Sequence, residues 1–173
     1  MIRRANKNDI DAVAEIYAHI HILEAQGKTT TGWLKGIYPI KSTAQKALER
    51  GDLFVYEEDG RILASAVINQ TQVDVYADCQ WKYEAADSEV MVLHTLTVEP
   101  EAFGRGIGKA FVQFYEDYAR QNGCKVLRMD TNAKNLKARA FYKKAGYVES
   151  GCLPCVFNGI PDVQLILLEK EIR

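Results

Sequence analysis

Three glycines, Gly104, Gly106 and Gly108, sit between an apolar run and an amphipathic one. Backbone amides left uncovered at a helix start meet the positive end of the helix dipole, and that arrangement binds phosphate through main-chain donors. Phe103, Arg105, Ile107 and Lys109 flank or alternate with the glycines. Further along, Asn135, Ala138 and Tyr142 recur at i, i+3 and i+7, so a helix sets them on one face. An amide, a small residue and a phenol in a row form a track for a slender ligand. Ala138 permits close approach, Asn135 can bind an amide group, and Tyr142 presents an O–H at the far end. Each also has a plainer role: Asn as a cap, Ala as a helix former, Tyr as an amphipathic core residue.

A histidine and a pair of cysteines complete the set of chemical candidates. His94 titrates near neutrality and shares strand parity with Leu96 and Val98, which makes it a candidate base; the competing role is a hydrogen-bonded structural histidine. Cys152 and Cys155 form a CxxC. A redox CxxC sits at a helix start, whereas this one falls in a predicted strand. Zinc would need a second ligand pair, and only His19 and His21 have nearby spacing. No metal site is expected. The glycines also lack the longer gap of a dinucleotide fingerprint and the Lys-Ser/Thr pair of a P-loop.

The elements that position these residues follow from periodicity. Ile2–Ala5 reads as a strand, 9–26 as a helix ended by Gly27, and 29–39 as a loop or broken helix. Ser42 is the predicted cap of a helix that Gly51 stops. Strands 53–56 and 62–68 flank the turn signal Asp59-Gly60. Residues 71–88 are acidic and irregular. Strand 90–98 leads into a helix over 106–122, whose stripe of Ala110, Phe111, Phe114, Tyr115 and Tyr118 reads as core. A strand at 125–130, a helix at 135–144 and strands at 147–157 and 163–172 follow, the last two joined at Asn158-Gly159 and therefore antiparallel. The order predicts one α/β layered domain over 1–173 with a mixed sheet.

Composition supports a soluble cytoplasmic domain: 47% of residues are hydrophobic and 26% charged, with no signal-peptide pattern and no run long enough for a membrane span. A net charge of −1 hides an asymmetry. Residues 104–144 carry ten Lys/Arg against three Asp/Glu, and the remainder twelve against twenty. A basic half beside the glycines suits a small polyphosphate better than a nucleic acid, whose partners are usually basic overall.

Together the two motifs resemble those of the GCN5-related N-acetyltransferase (GNAT) superfamily. Leu96-Thr97-Val98 followed by Phe103-Gly-Arg-Gly-Ile-Gly108 is similar to its pyrophosphate-binding motif. Asn135 to Tyr142, then Gly146-Tyr147, is similar to its second signature. The family usually has Gln or Arg where this chain has Phe103. The resemblance implies a twisted, mostly antiparallel sheet of about six or seven strands flanked by about four helices. It also implies acetyl-CoA as co-substrate and acetyl transfer to a primary amine, with a homodimer common among relatives. Amides from Gly104 to Lys109 would hold the pyrophosphate, and the strand edge at Leu96 and Val98 would pair with pantetheine amides. Tyr142 matches the tyrosine that protonates the departing sulfur. His94 matches a histidine of the aralkylamine acetyltransferases, while Val92 stands where a glutamate base is frequent. Glu89, acting through water, is a further substitute. Family acceptor sites form from regions that here contain Trp33, Tyr38, Tyr76, Trp81 and acidic residues, which suits a small cationic or aromatic amine. The alternative is a non-catalytic acetyl-CoA-sensing module of the same fold.

Overall fold

The protein, studied as a computed structural model, is described over residues 1–172. Its elements run β1 (Ile2–Arg4), α1 (Ile10–Ala25), α2 (Lys41–Arg50), β2 (Leu53–Glu58), β3 (Arg61–Asn69), β4 (Val90–Val98), α3 (Ile107–Gln121), β5 (Val126–Asn132), α4 (Leu136–Lys144), β6 (Val148–Phe157) and β7 (Ile160–Glu171). The strands form one seven-stranded sheet in the order β1-β2-β3-β4-β5-β7-β6. Neighbours are antiparallel except for β4 and β5, which are parallel. The mixed sheet and the antiparallel final pair match expectation. Both predicted hairpin turns close with two positive-φ residues, Asp59 and Gly60 (50° and 74°) and Asn158 and Gly159 (48° and 84°). Such turns carry the twist that adjacent antiparallel strands require.

Two local expectations fail. Ser42 does not cap α2; the cap residue is Ile40, whose backbone N–H donates to Thr43 Oγ1 at 3.0 Å. A hydroxyl at the third helical position thus reaches back to the backbone N–H of the cap residue, the returning half of a capping box. Ala110 lies outside the buried stripe of α3, which consists of Ile107, Phe111, Val112, Tyr115 and Ala119. Phe114 and Tyr118 occupy its flank and pack on Phe54 of β2.

The sheet has two differently covered faces. Met91, Leu93, Leu127, Met129, Ile166 and Leu168 join the core beneath α3 and α4. On the other face, α1 and α2 cover the β2–β3 half through Val13, Tyr17 and Ala44. The irregular residues 70–89 cover the remaining half, over Val90, Val92, Val126, Leu165 and Leu167. With few regular backbone bonds of its own, that segment depends on side chains. Buried Glu169 accepts the backbone N–H of Lys82 (2.6 Å) and Tyr83 (3.1 Å) and the Ser150 hydroxyl. Arg128, opposite Glu169 in register, donates to Gln72 Oε1 and the Tyr83 carbonyl, and Trp81 stacks over its guanidinium at 4.1 Å.

Glu169→Ala is therefore expected to orphan two partly buried amides and leave Arg128 without its opposing charge. A loss of about 3 kcal/mol follows, read in calorimetry as a Tm lower by roughly 6–12 °C.

Candidate active site

Parallel pairing of β4 with β5 begins at Val90↔Val126 and ends at Leu93↔Met129. β4 continues to Val98 and β5 to Asn132, so five residues of β4 and three of β5 diverge. Thr95 causes the divergence on the β4 side. Its φ of 51° and the register shift opposite Ser65–Val67 mark a bulge, which bends a strand and adds a residue to its repeat. The gap is a window through the sheet, open to both faces. It lies within a cleft of about 2060 Å³ lined by residues from both halves of the chain, including His94–Val98, Asp130–Asn132 and Tyr142.

The bulge overturns the expected parity of His94. Leu93, Leu96 and Val98 all pack toward α3, whereas His94 pairs with Val67 on the α1–α2 face. Its Nε2–H donates to Asn69 Oδ1 at 3.1 Å, and Asn69 in turn donates to Asp52. Burial is the main influence on the imidazole and pushes its pKa down to about 4. The ring is neutral and a weak base at pH 7.

On the α3 side the donor features converge. Gly104 (φ 80°) and Gly106 (φ 81°) adopt left-handed conformations that a side chain would strain. Gly106 caps α3 with no side-chain hydrogen bond, so the first-turn amides face the cleft uncapped. Arg105 turns away to pair with Glu58. Phe103, 51% exposed, and Lys109 line the same stretch. Leu96 and Val98 pack toward α3, while the Thr97 side chain is buried against Ser65 on the opposite face. With β3 on one side, the other edge of β4 beyond Leu93 has no strand partner. Asn135 lies outside the helix that was expected to begin with it. It caps α4 by accepting the Ala138 N–H at 3.2 Å, and its amide nitrogen makes no bond there. Ala138 and Tyr142 line the cleft, and Gly108 meets Phe141 across it. These donors, the small residue and the free strand edge fit a phosphate-bearing molecule with an extended amide arm.

Tyr142 comes to the window from the α4 face, stacked edgewise on Tyr147. Its hydroxyl has no hydrogen-bond partner among the described residues, and burial, with a smaller contribution from nearby Asp130, raises its pKa above the ordinary phenol value. Asp130, the first β5 residue past the last β4–β5 pair, reaches the window from the opposite face. Tyr76 Oη donates to its Oδ2 at 2.7 Å. Burial drives this carboxyl up to about 6, against the lowering effect of the Tyr76 hydrogen bond. Sequence reasoning missed Asp130. It follows four apolar or basic strand residues with no motif of its own, and only its place at the end of the pairing distinguishes it.

Of the four aromatic acceptor-site candidates, Trp33 and Tyr38 line the cleft. Tyr76 and Trp81 do not. Tyr76 stands behind Asp130, and Trp81 is spent on Arg128 and on an N–H bond to the Tyr76 carbonyl. Glu89 is engaged away from the window by Lys125. The CxxC residues are free thiols on an edge strand. Among the described residues no His/Cys/Asp/Glu group has metal-binding geometry, and no helix is long and apolar enough to cross a membrane.

Comparisons with known proteins agree with this geometry. The model of the acetyltransferase (GNAT) family matches residues 16–147. The uncharacterized N-acetyltransferase MJ1207 of Methanocaldococcus jannaschii is 30% identical over 149 residues. That match takes in 86% of this chain, which spans about 60% of the longer archaeal protein. The uncharacterized N-acetyltransferase YhfO of Bacillus subtilis is 26% identical over 86% of this chain and 89% of its own length. Among solved structures, a GNAT-family acetyltransferase from Streptococcus agalactiae superposes over 100% of this chain and 95% of its own, with a TM-score of 0.82 at 21% identity. The structure of YncA from Salmonella typhimurium, with its cofactor acetyl-CoA, covers 99% of this chain and 92% of its own, with a TM-score of 0.70 at 19% identity. With a family model spanning most of the chain and the same fold in its relatives, this protein belongs to the acetyltransferase (GNAT) family.

Proposed function

We propose that the protein transfers the acetyl group of acetyl-CoA to a small primary amine, with Tyr142 as general acid and Asp130 as general base. The observation that carries this reading is the meeting of those two side chains at the window from opposite faces of the sheet. Gly104, Gly106, Gly108 and the first-turn amides of α3 hold the pyrophosphate. The free edge of β4 at Leu96 and Val98 pairs with the pantetheine amides, and Ala138 gives the arm room to pass. The thioester then lies in the window, where the acceptor reaches it from the side of Asp130.

Alkyl amines are mostly protonated at neutral pH, a lysine amine having a pKa of about 10.4, so the nitrogen lone pair must first be freed. Asp130 takes one ammonium proton and passes it to solvent. The nitrogen bonds to the carbonyl carbon as the carbon–sulfur bond breaks. Tyr142 protonates the departing sulfur and recovers a proton from the nitrogen, so an amide and a free thiol are formed. Asp130 takes the role for which His94 was the sequence candidate, because the His94 ring is committed to Asn69 and titrates far below neutrality. Acid–base groups positioned this way contribute roughly 10²–10⁴-fold. A phenol and a carboxylate at the sulfur end favour transfer over acetyl-CoA sensing, which needs neither.

Two measurements test the assignments. Tyr142→Phe should lower kcat by at least roughly 10²-fold while the Kd for acetyl-CoA in calorimetry stays within about twofold. Retention of full kcat would remove Tyr142 from the mechanism. The base must be ionised to act, and its folded pKa is raised, so activity is lost as pH falls. With an amine in excess, kcat/KM should rise with pH through about 6. That limb should persist in His94→Gln and vanish in Asp130→Asn; the reverse pattern would return the role to His94.

A further inference from the structure

The loop between α1 and α2 crosses the acceptor side of the window, and four contacts trace its path. Over β4, the Tyr38 hydroxyl hydrogen-bonds the hydroxyl of Thr95, the bulge residue. At the end of β5, Gly32 lies so close to Asn132 that a Cβ on Gly32 would stand 2.2 Å from Asn132 Nδ2. Beyond the sheet edge, Tyr38 meets Phe157 edge-on at 5.6 Å, and Ile37 Cγ2 lies 3.5 Å from the position of a Cβ on Gly159. The loop thus touches β5 through Gly32, the β6–β7 turn through Ile37, and β4 through Tyr38.

Its near end is held just as closely. Glu24, at the end of α1, accepts the hydroxyls of Thr29 and Thr31 and the backbone N–H groups of Thr31 and Gly32, at 2.8–2.9 Å. Trp33 packs edge-on against Tyr38. A loop anchored at both ends and in the middle is a fixed strap over the window. Beside the strap, the cleft is lined on its other flank by Val73, Asp74, Val75 and Asp78. Asp130 thus lines the same cleft as the strap, an apolar and aromatic wall and two carboxylates.

We infer that the strap formed by residues 32–38 is a size filter, which admits free cationic amines with a slender apolar or aromatic body and excludes polypeptide N-termini. A polypeptide presenting its N-terminal amine brings several further residues with it, and these need more room than a strap closed by Tyr38 on Phe157 leaves. A small amine needs only the passage beneath. Asp74 and Asp78 favour entry of the charged form, and Asp130 then meets the nitrogen. This inference rests on the acetyl-transfer reading for its chemistry, but the filter itself concerns binding and is testable without turnover.

The experiment measures two quantities side by side. Phenethylamine, tyramine and agmatine are compared with unblocked Ala- and Ser-initiated hexapeptides, each with acetyl-CoA for thiol release and with CoA alone for thermal shift. The wild-type protein is expected to use the small amines at kcat/KM at least tenfold above either peptide, and only the small amines should raise Tm. The double variant Ile37→Gly, Phe157→Ala frees the strap from the β6–β7 turn and should narrow that ratio by at least tenfold, with peptides now raising Tm. Equal or better use of peptides by the wild type, or a ratio unchanged in the folded variant, overturns the filter. If small amines alone raise Tm but nothing releases thiol, the filter stands and the acetyl-transfer reading falls. If neither class raises Tm or releases thiol, the filter is overturned.

Discussion

The rest of this molecule depends on where the parallel pairing of β4 and β5 stops. Parallel neighbours in a sheet normally continue side by side, because unpaired backbone groups inside a protein are costly. Here they part after Leu93 and Met129, and the positive-φ bulge at Thr95 directs β4 away. The unmatched edge of β4 is tolerated where it lines a solvent-accessible cleft able to hold an extended ligand. A gap in the sheet also lets chemistry use both faces. The basic, glycine-rich half approaches from one side and the acidic, irregular half from the other.

Under the proposed reaction, that division accounts for the charge asymmetry. The positive segment 104–144 builds the donor side around α3 and α4. The acidic remainder contributes Asp74, Asp78 and the irregular cover to the other side. Asp130 is an exception to its neighbourhood, an acid at the end of a strand in the basic segment. The fold raises its pKa by burying it and moderates the effect with one hydrogen bond from Tyr76. A buried carboxyl kept near neutrality costs folding energy, and such costs concentrate at functional sites.

The two halves of the site also differ in what makes them rigid. The donor side rests on regular helices over an apolar core. The acceptor side is held by polar anchors: Glu169 beneath residues 82–83, Arg128 beneath Gln72 and Tyr83, and Glu24 beneath residues 29–32. Side-chain carboxylates and a guanidinium there supply the partners that helix and sheet ladders supply elsewhere.

What the sequence determined by itself was local. Periodicity and turn chemistry placed every strand and helix within a few residues, and the glycine and Asn–Ala–Tyr spacings pointed to the family to which the chain belongs. These features are legible because their causes lie within a few residues along the chain: a left-handed glycine, a helical face, a two-residue turn. Only the tertiary structure decided which residues meet. Strand parity put His94 with Leu96 and Val98 until one bulged residue reversed it. Asn135, expected to bind an amide group, also caps a helix, while still lining the cleft. Tyr76 and Trp81 looked like acceptor contacts, yet they support Asp130 and Arg128 from behind. Asp130 carries no local signal at all, because its place at the window comes from the end of a pairing between strands far apart in sequence, and its raised proton affinity comes from burial.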